Sequence, residues 1–213
     1  FKHFDIKKEI EVIVNFVDVS RFQRQPINAF KKVIAPNGER ILLHASNFRK
    51  IKRVQDVVNI FAEVNKQIPS KLLFVGDGPE RSTAEDLARE LGVCDEIQFV
   101  GKQEQMEDIM PIADLFLLTS EYESFGLAAL EAMAAGVPVV STNAGGLSEI
   151  VTDGDNGYMG DVGDVATMSK HALAILKDDH TLNEFKKRAA EHAKKFDISK
   201  IIPLYEKLYE RFL

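Results

Sequence analysis

Tryptophan is absent from this chain of 213 residues, and cysteine occurs once, at Cys94. A single cysteine cannot form an intrachain disulfide, so we expect a fold held by its core in a reducing, cytoplasmic compartment. No apolar run reaches the roughly 20 residues that cross a bilayer, and no signal-peptide pattern is present. Hydrophobic residues make up 45% of the chain, which suffices for one well-packed domain with or without an appendage.

A basic excess is also lacking, since 33 acidic residues outnumber 27 basic ones and the net charge is −6. Nucleic acids and anionic membrane surfaces usually bind basic proteins, so neither is predicted as a partner. The five histidines and the single cysteine show no spacing typical of a zinc site. A Gly-x-Ser-x-Gly elbow and a P-loop lysine motif are missing too, which argues against serine-hydrolase and P-loop chemistry.

Short apolar segments alternate with helix-length segments through the middle of the chain. This alternation is typical of a parallel sheet with helices on both faces, so we predict a doubly wound, Rossmann-like α/β domain. Strands are predicted at Ile41–Ala45, Lys71–Gly76, Glu96–Gly101, Leu115–Thr119, Pro138–Thr142 and Gly157–Met159, and helices at Lys52–Gln67, Glu80–Leu91, Gln105–Ala113, Phe125–Ala135 and Gly146–Val151.

The two ends of the chain differ from this middle part. The first residue is Phe1, not methionine, which we take as the mark of a fragment or a processed product. Residues 1–38 do not resemble an independent domain, and Glu11–Phe16 is their one strand candidate. The segment from Val165 onward predicts two or three helices, with a break at Asp197 and Ser199 before the last one and Pro203 near its first turn.

Two carboxylates eight residues apart, Glu123 and Glu131, flank a predicted strand-to-helix turn. Ser124 is a candidate helix cap, and Phe125-Gly126-Leu127 opens the helix. A helix N-terminus at the end of a parallel strand presents backbone N–H groups and the positive end of the dipole to an anion. Backbone amides can bind phosphates and carboxylates can bind hydroxyl groups. A site with both suits a sugar nucleotide, which carries phosphates and hydroxyls.

A basic segment follows the first strand, where a dinucleotide enzyme would have Gly-x-Gly-x-x-Gly. Four of the five residues from 49 to 53 are basic. This composition argues against NAD and favours side-chain contact with a diphosphate. Lys52 or Arg49 could neutralise the charge on a departing nucleotide diphosphate, a task that often falls to a metal ion. The alternative is a solvated helix start.

Glycines follow the next two strands. Gly76-Asp77-Gly78-Pro79 permits a tight turn and lets a ligand approach the backbone at Gly76 and Gly78, although a plain turn is the alternative. Gly101-Lys102 ends the third strand, where backbone groups could contact a uracil edge or the strand end could simply need a glycine. The segment Asn143–Glu149 is another Gly-rich helix entry, which we interpret as mostly structural.

Together these motifs resemble the donor-binding half of the retaining GT-B glycosyltransferases of family 4. The family's Glu-x7-Glu motif matches Glu123 to Glu131, and its basic phosphate motif maps onto Asn47 and Lys52. Asn47 stands where the family has arginine, and Arg49 is a candidate for the missing charge. The resemblance implies catalytic roles for Glu123, Lys52 and Arg49, and donor binding by Asn47, Lys52, Gly76, Gly101, Lys102, Ser124, Phe125, Gly126, Leu127 and Glu131, with Glu131 on the ribose.

The runs Asn15–Asp18, His44–Arg49 and Ser120–Gly126 are similar to those family members that open bacillithiol biosynthesis. This closer resemblance implies UDP-N-acetylglucosamine as donor, L-malate as acceptor, retention of configuration and no metal or cofactor. It also implies three parts: residues 1–38 as a hinge and remnant of an N-terminal acceptor domain, 39–196 as the donor-nucleotide domain, and 197–213 as a C-terminal crossover helix. In such an arrangement Ile201, Leu204 and Leu208 would pack on that acceptor domain.

Other functions remain open at this point. Another family 4 enzyme would share the site but use a different sugar or acceptor. A UDP-N-acetylglucosamine 2-epimerase would share the fold and the donor but need a different acid–base set. As an isolated piece the chain could act as a non-catalytic nucleotide-sugar-binding module. Exposed terminal helices are compatible with a homo-oligomer.

Overall fold

The computed structural model describes residues 10–24 and 27–213, and its centre is a six-stranded parallel sheet. The strands are β1 (Arg40–Ser46), β2 (Ser70–Gly76), β3 (Ile97–Phe99), β4 (Leu115–Leu118), β5 (Val139–Thr142) and β6 (Gly157–Gly160). Their order in the sheet is β3-β2-β1-β4-β5-β6, with every neighbouring pair parallel. The predicted doubly wound, Rossmann-like α/β fold is confirmed.

Helices cover both faces of this sheet. The α-helices are α1 (Val19–Phe22), α2 (Asn28–Ile34), α3 (Val54–Asn65), α4 (Arg81–Glu90), α5 (Met106–Ile109), α6 (Leu127–Ala134), α7 (Val165–Leu176), α8 (Asp179–Ala193) and α9 (Ile198–Glu210). Short 3-10 turns occupy Lys50–Lys52, Cys94–Glu96, Met110–Ile112, Gly145–Glu149 and Lys194–Phe196. No helix in the described part of the chain is both long and apolar enough to cross a membrane.

The strands are apolar on both sides because both faces are buried. In β1, Ile41 and Leu43 join the core beneath α1, α2 and α6, whereas Leu42 joins the core beneath α3, α4 and α7. This period of two follows from the alternation of side chains along a strand. β4 has the sequence Leu-Phe-Leu-Leu, and all four residues are buried.

The strand order reverses between β1 and β4, which are direct neighbours through Leu42 and Leu115. The chain leaves β1 toward β2 on one side, and it leaves β4 toward β5 on the other. The loops after these two strands therefore diverge and leave a crevice at their carboxyl ends, which is where open α/β sheets bind ligands.

One strand prediction is wrong. Glu11–Phe16 is not a strand: Val12 is 76% exposed, and the nearest strand pairing is an isolated bridge from Val17 to Asp197. An apolar sequence forms a strand only where a sheet edge is available to it. The last helix begins where a break at Asp197 is predicted, because Asp197 caps α9 and sets its start at Ile198, and Pro203 lies in the second turn.

The segments expected to lie outside the central domain meet each other. The amide of Val17 donates to the carbonyl of Phe196 at 3.0 Å, and the amide of Ile198 donates to the carbonyl of Val17 at 2.9 Å.

On helix α9, Ile201 is buried, whereas Leu204 is 45% exposed. The domain limits 1–38, 39–196 and 197–213 stay predictions, and residues 1–9 and 25–26 lie outside the described residues.

A buried carboxylate joins the helical layer to the amino end of the sheet. Asp114 accepts a hydrogen bond from the Lys186 ammonium at 2.7 Å and another from the Ile41 amide at 3.0 Å, and Lys31 Nζ lies 3.6 Å away. Although burial by itself raises the pKa of Asp114, the two ammonium groups and the hydrogen bonds hold that pKa below its usual range. The ionised form is therefore favoured by folding.

We predict that Asp114→Asn lowers the free energy of unfolding at pH 7 by about 3 kcal/mol, because Lys186 loses its partner. Since the folded pKa is depressed, this stabilisation is present above the unfolded pKa and is lost as the pH falls through the folded one. Urea unfolding of both proteins measures the difference. The matched control is Asp108→Asn, which breaks an exposed pair with Arg24 and should cost less than about 1 kcal/mol. Equal midpoints for Asp114→Asn and the parent protein would contradict this assignment.

Candidate functional site

The crevice at the carboxyl ends of the strands contains three adjoining cavities. The central cavity, of about 300 Å³, lies between the loops that follow β1 and β4. The β2-side cavity, of about 360 Å³, shares Ala45, Ser46 and Asn47 with it. The α1-side cavity, of about 320 Å³, shares Leu127 with it. Because they share lining residues, the three cavities adjoin along the edge of the sheet where the predicted site residues cluster.

An ion pair stands in the central cavity. Lys52 Nζ lies 2.5 Å from Glu123 Oε1, and the two side chains are only 19% and 14% exposed. The hydroxyl of Ser120 donates to the same Oε1 at 2.7 Å. Because Oε1 already accepts two hydrogen bonds, Oε2 is the oxygen that Glu123 can offer to a ligand.

The loops that carry this pair are tied to each other by hydrogen bonds to backbone carbonyls. The hydroxyl of Thr119 lies within hydrogen-bond distance of the carbonyls of Lys52 and Arg53, at 2.9 and 3.0 Å. The amide of Glu121 donates to the carbonyl of Ile51 at 2.8 Å. Thr142, at the end of β5, donates to the carbonyl of Ser120 at 2.6 Å. Lys52 and Glu123 are thus held in one fixed arrangement.

Helix α6 begins at the floor of the central cavity. Gly126 is its N-cap with φ +92°, and no side chain caps it, so the prediction that Ser124 caps this helix is wrong. The amides of Ala129 and Leu130 both donate to the carbonyl of Gly126. For the amides of Leu127 and Ala128, no acceptor lies within hydrogen-bond distance among the described residues. Both residues line the cavity, so their N–H groups are available to an anion.

The Gly-Gly pair after β5 supports the loop that carries Glu123. A Cβ on Gly145 would lie 1.9 Å from the carbonyl oxygen of Glu123, and a Cβ on Gly146 would lie 2.4 Å from that of Ser124. The amide of Gly146 donates to the carbonyl of Glu123 at 2.8 Å. The two backbones touch directly, which only glycine allows, and this packing agrees with the structural role predicted for the segment.

Glycines also bring the β1 loop against the turn after β2. A Cβ on Gly76 would lie 1.8 Å from the carbonyl oxygen of Ser46, and one on Gly78 would lie 2.1 Å from that of Asn47. Gly76 and Lys102 line the β2-side cavity. The carbonyl of Gly101 accepts a hydrogen bond from the Gly76 amide at 2.8 Å, so that carbonyl is already paired.

Glu131 lies in the α1-side cavity together with Arg21, Glu107 and Leu127. Burial raises the pKa of the Glu131 carboxyl, and the nearby Arg21 partly offsets this effect. Arg21 itself is paired with Glu107 at 3.0 Å. In the described part of the chain no donor hydrogen-bonds the Glu131 carboxylate, which leaves it available to hydroxyl groups of a ligand.

The predicted site residues separate into two groups. Arg49 is exposed and does not line any of the three cavities, nor does Gly101. Arg53 of the basic segment is paired with Asp56 at 2.6 Å and with Glu121 at 3.3 Å. The structure brings together, along the three cavities, Asn47, Lys52, Gly76, Lys102, Glu123, Ser124, Phe125, Gly126, Leu127 and Glu131.

Sequence reasoning missed a buried histidine beneath the site. The ring of His44 is fully buried; its Nδ1 lies 2.9 Å from the carbonyl of Leu117 and its Nε2 lies 2.8 Å from Ser46 Oγ. A carbonyl can only accept, so Nδ1 carries the proton and Nε2 accepts from the hydroxyl. Ser46 Oγ in turn accepts from the Phe48 amide at 3.3 Å. His44 thus fixes the turn that contains Asn47, and a histidine two residues before a serine at a strand end is a weak signal of this arrangement.

No group of three or more His, Cys, Asp or Glu residues that could hold a metal ion occurs within residues 10–24 and 27–213.

Comparisons with known proteins agree on one family. The family described as Glycosyl transferases group 1 matches residues 27–195. The chain is 42% identical over 204 residues to N-acetyl-alpha-D-glucosaminyl L-malate synthase of Bacillus anthracis, covering 95% of this chain and 54% of that protein. It is 30% identical over 209 residues to D-inositol 3-phosphate glycosyltransferase of Corynebacterium kroppenstedtii, covering 91% and 46%. The chain spans about half the length of these curated relatives.

A solved structure shares the fold. HepE of Anabaena, in complex with UDP and glucose, superposes with a TM-score of 0.84 at 25% identity, covering 94% of this chain and 57% of that one. The structural neighbours are GT-B glycosyltransferases, which agrees with the fold expected from the sequence motifs.

We predict that the buried imidazole makes the protein sensitive to acid. Burial lowers the pKa of His44 to about 4 from the usual 6.5, so folding favours the neutral ring. The contribution of His44 to the free energy of unfolding is therefore complete above pH 6.5. It is lost as the pH drops toward 4, by on the order of 3 kcal/mol. Unfolding free energies of the parent protein and His44→Leu, measured across this range, should differ in slope.

The matched control is His180→Leu, because His180 is exposed. The unfolding free energy of this variant should depend on pH as that of the parent protein does. If the curve for His44→Leu runs parallel to that of the parent protein, His44 does not titrate as expected.

Proposed function

The chain belongs to the glycosyl transferases group 1 family, and on this premise we propose that it is the donor-binding part of a retaining, family 4 glycosyltransferase. The proposed reaction transfers N-acetylglucosamine from UDP-N-acetylglucosamine to L-malate, the first step of bacillithiol biosynthesis. The 42% identity to the malate synthase of Bacillus anthracis carries the choice of donor and acceptor. The central cavity, with Lys52, Glu123 and two available helix amides, supports the chemistry.

The chemistry of the three cavities supports one arrangement of the donor. Its diphosphate lies on the amides of Leu127 and Ala128 and beside Lys52, where the helix dipole and the ammonium favour negative charge. Its sugar hydroxyls donate to Glu123, and its ribose donates to Glu131. The base lies on the β2 side, near Lys102. UDP and glucose bound to HepE support a uridine nucleotide as the ligand.

The proposed transfer takes place on one face of the sugar. The malate hydroxyl oxygen forms a bond to the anomeric carbon as the bond to the UDP oxygen breaks, and the departing diphosphate takes the hydroxyl proton. Lys52 and the helix amides stabilise the charge that develops on the diphosphate. Glu123 orients the sugar and does not act as a nucleophile. We assign no metal or cofactor to this step. We propose Arg49 as a further contact to the diphosphate, which requires its exposed side chain to turn inward.

The acceptor is proposed to bind between this chain and a second domain. The relatives are about twice as long as the region matched here, and we assign malate contacts to their additional length. In this arrangement residues 1–38 act as a hinge, 39–196 bind the donor and 197–213 cross to the second domain. A cytoplasmic location is proposed because a free Cys94 suits a reducing compartment.

A first test is nucleotide binding. We predict that the chain binds UDP with micromolar to millimolar affinity, and that Glu131→Ala weakens binding by about 1–3 kcal/mol because the ribose hydroxyls lose their buried acceptor. Isothermal calorimetry measures both. Glu90→Ala, on the exposed end of α4, should bind UDP as the parent protein does. A folded sample that shows no heat of binding with UDP would exclude the site assignment.

A second test identifies the reaction. The intact protein that contains this chain, incubated with UDP-N-acetylglucosamine and L-malate, should give a glycosylated malate that mass spectrometry detects. Lys52→Met should reduce the rate by at least about a hundredfold, because charge on the leaving diphosphate loses a stabilising ammonium. Isomerised free sugar without glycosylated malate would instead support an epimerase, and transfer to other acceptors alone would point to another family 4 enzyme.

A further inference from the structure

The ion pair in the central cavity has a consequence for the ligand that the site prefers. Lys52, which the proposed function places on the donor diphosphate, already has a carboxylate partner at 2.5 Å. We propose that Glu123 is a specificity-determining residue that makes the site select the intact sugar nucleotide over the free nucleotide diphosphate. This inference rests on the proposed function, because it needs a diphosphate beside Lys52.

Glu123 opposes any anion that approaches Lys52. A diphosphate within reach of the ammonium also lies close to the carboxylate, since the two side chains touch each other. Both side chains are largely withdrawn from water, at 19% and 14% exposure, so solvent screens this repulsion poorly. The negative diphosphate must share Lys52 with a fixed negative charge, and its binding is weakened by that charge.

The carboxylate cannot easily move out of the way. Ser120 donates to Glu123 Oε1 at 2.7 Å, and the carbonyl of Ser120 is held by Thr142 at 2.6 Å. The backbone of Glu123 is fixed by the amide of Gly146 at 2.8 Å. Gly145 packs so closely against the same backbone that a Cβ there would lie 1.9 Å from its carbonyl oxygen. The repulsion therefore persists when a ligand binds.

An intact sugar nucleotide compensates for this repulsion. Its sugar carries hydroxyl groups that can donate charge-assisted hydrogen bonds to Glu123 Oε2, the oxygen not engaged by Lys52 or Ser120. A free nucleotide diphosphate has no such donor and experiences the repulsion alone. The same carboxylate thus favours the substrate and disfavours the nucleotide that remains after transfer, which would otherwise bind the same amides and ammonium and inhibit turnover.

The test compares two ligands on two isosteric variants. Glu123→Gln removes the charge and keeps an oxygen that can accept from Ser120. We expect it to bind UDP about tenfold more tightly than the parent protein, and to lower the ratio of Kd for UDP to Kd for UDP-N-acetylglucosamine by at least tenfold, as measured by calorimetry. Glu121→Gln removes a charge from the same loop, where Glu121 pairs with Arg53 at 3.3 Å, and should leave the ratio unchanged.

The outcomes separate the inference from the proposed function. If Glu123→Gln binds UDP no more tightly than the parent protein, or if both ligands shift by the same factor, Glu123 does not discriminate between them and the inference is overturned. A parent protein that binds neither ligand contradicts the proposed function itself. Thermal unfolding verifies that each variant is folded, and Glu123→Ala, which removes the same charge, provides the comparison if the glutamine variant is not.

Discussion

The site depends on one constraint, which is the parallel pairing of β1 with β4 at the point where the strand order reverses. Lys52 follows β1 and Glu123 follows β4, 71 residues later, yet their side chains meet because neighbouring parallel strands end at the same edge. The diverging crossovers leave the crevice at this edge open. Without the pairing of Leu42 with Leu115, the ammonium, the carboxylate and the start of α6 would have no common location.

Backbone packing converts this neighbourhood into a fixed geometry. Gly76 and Gly78 let one turn lie on the β1 loop, and Gly145 and Gly146 let another lie on the β4 loop, each at distances that a Cβ would prevent. Buried His44 holds the β1 loop from below through Ser46. The loops that bear the charges are therefore held by direct backbone packing and by a buried side chain, which is what preorganised electrostatic stabilisation requires.

Much of the fold could be predicted because its signals are local. The strands from β1 to β6 are short apolar runs separated by helix-length segments, and each predicted strand overlaps the observed one. The strand predicted at Glu11–Phe16 failed for a local reason, because the segment is apolar enough for a strand but has no sheet edge beside it. The start of α9 was predictable because its cap, Asp197, is itself a local signal. A sequence pattern states what a segment can form, and available partners decide whether it does.

For the site, the sequence by itself determined the residue types: two carboxylates around a glycine-led helix start, and a basic segment after the first strand. Only the tertiary structure decided how they are used. It pairs Lys52 with Glu123, diverts Arg53 to Asp56, leaves Arg49 outside the cavities, and places Glu131 in an adjoining cavity near Arg21. These choices depend on contacts between residues far apart in the chain, and the free energy of a charge depends on its burial and its partner, neither of which a linear motif contains.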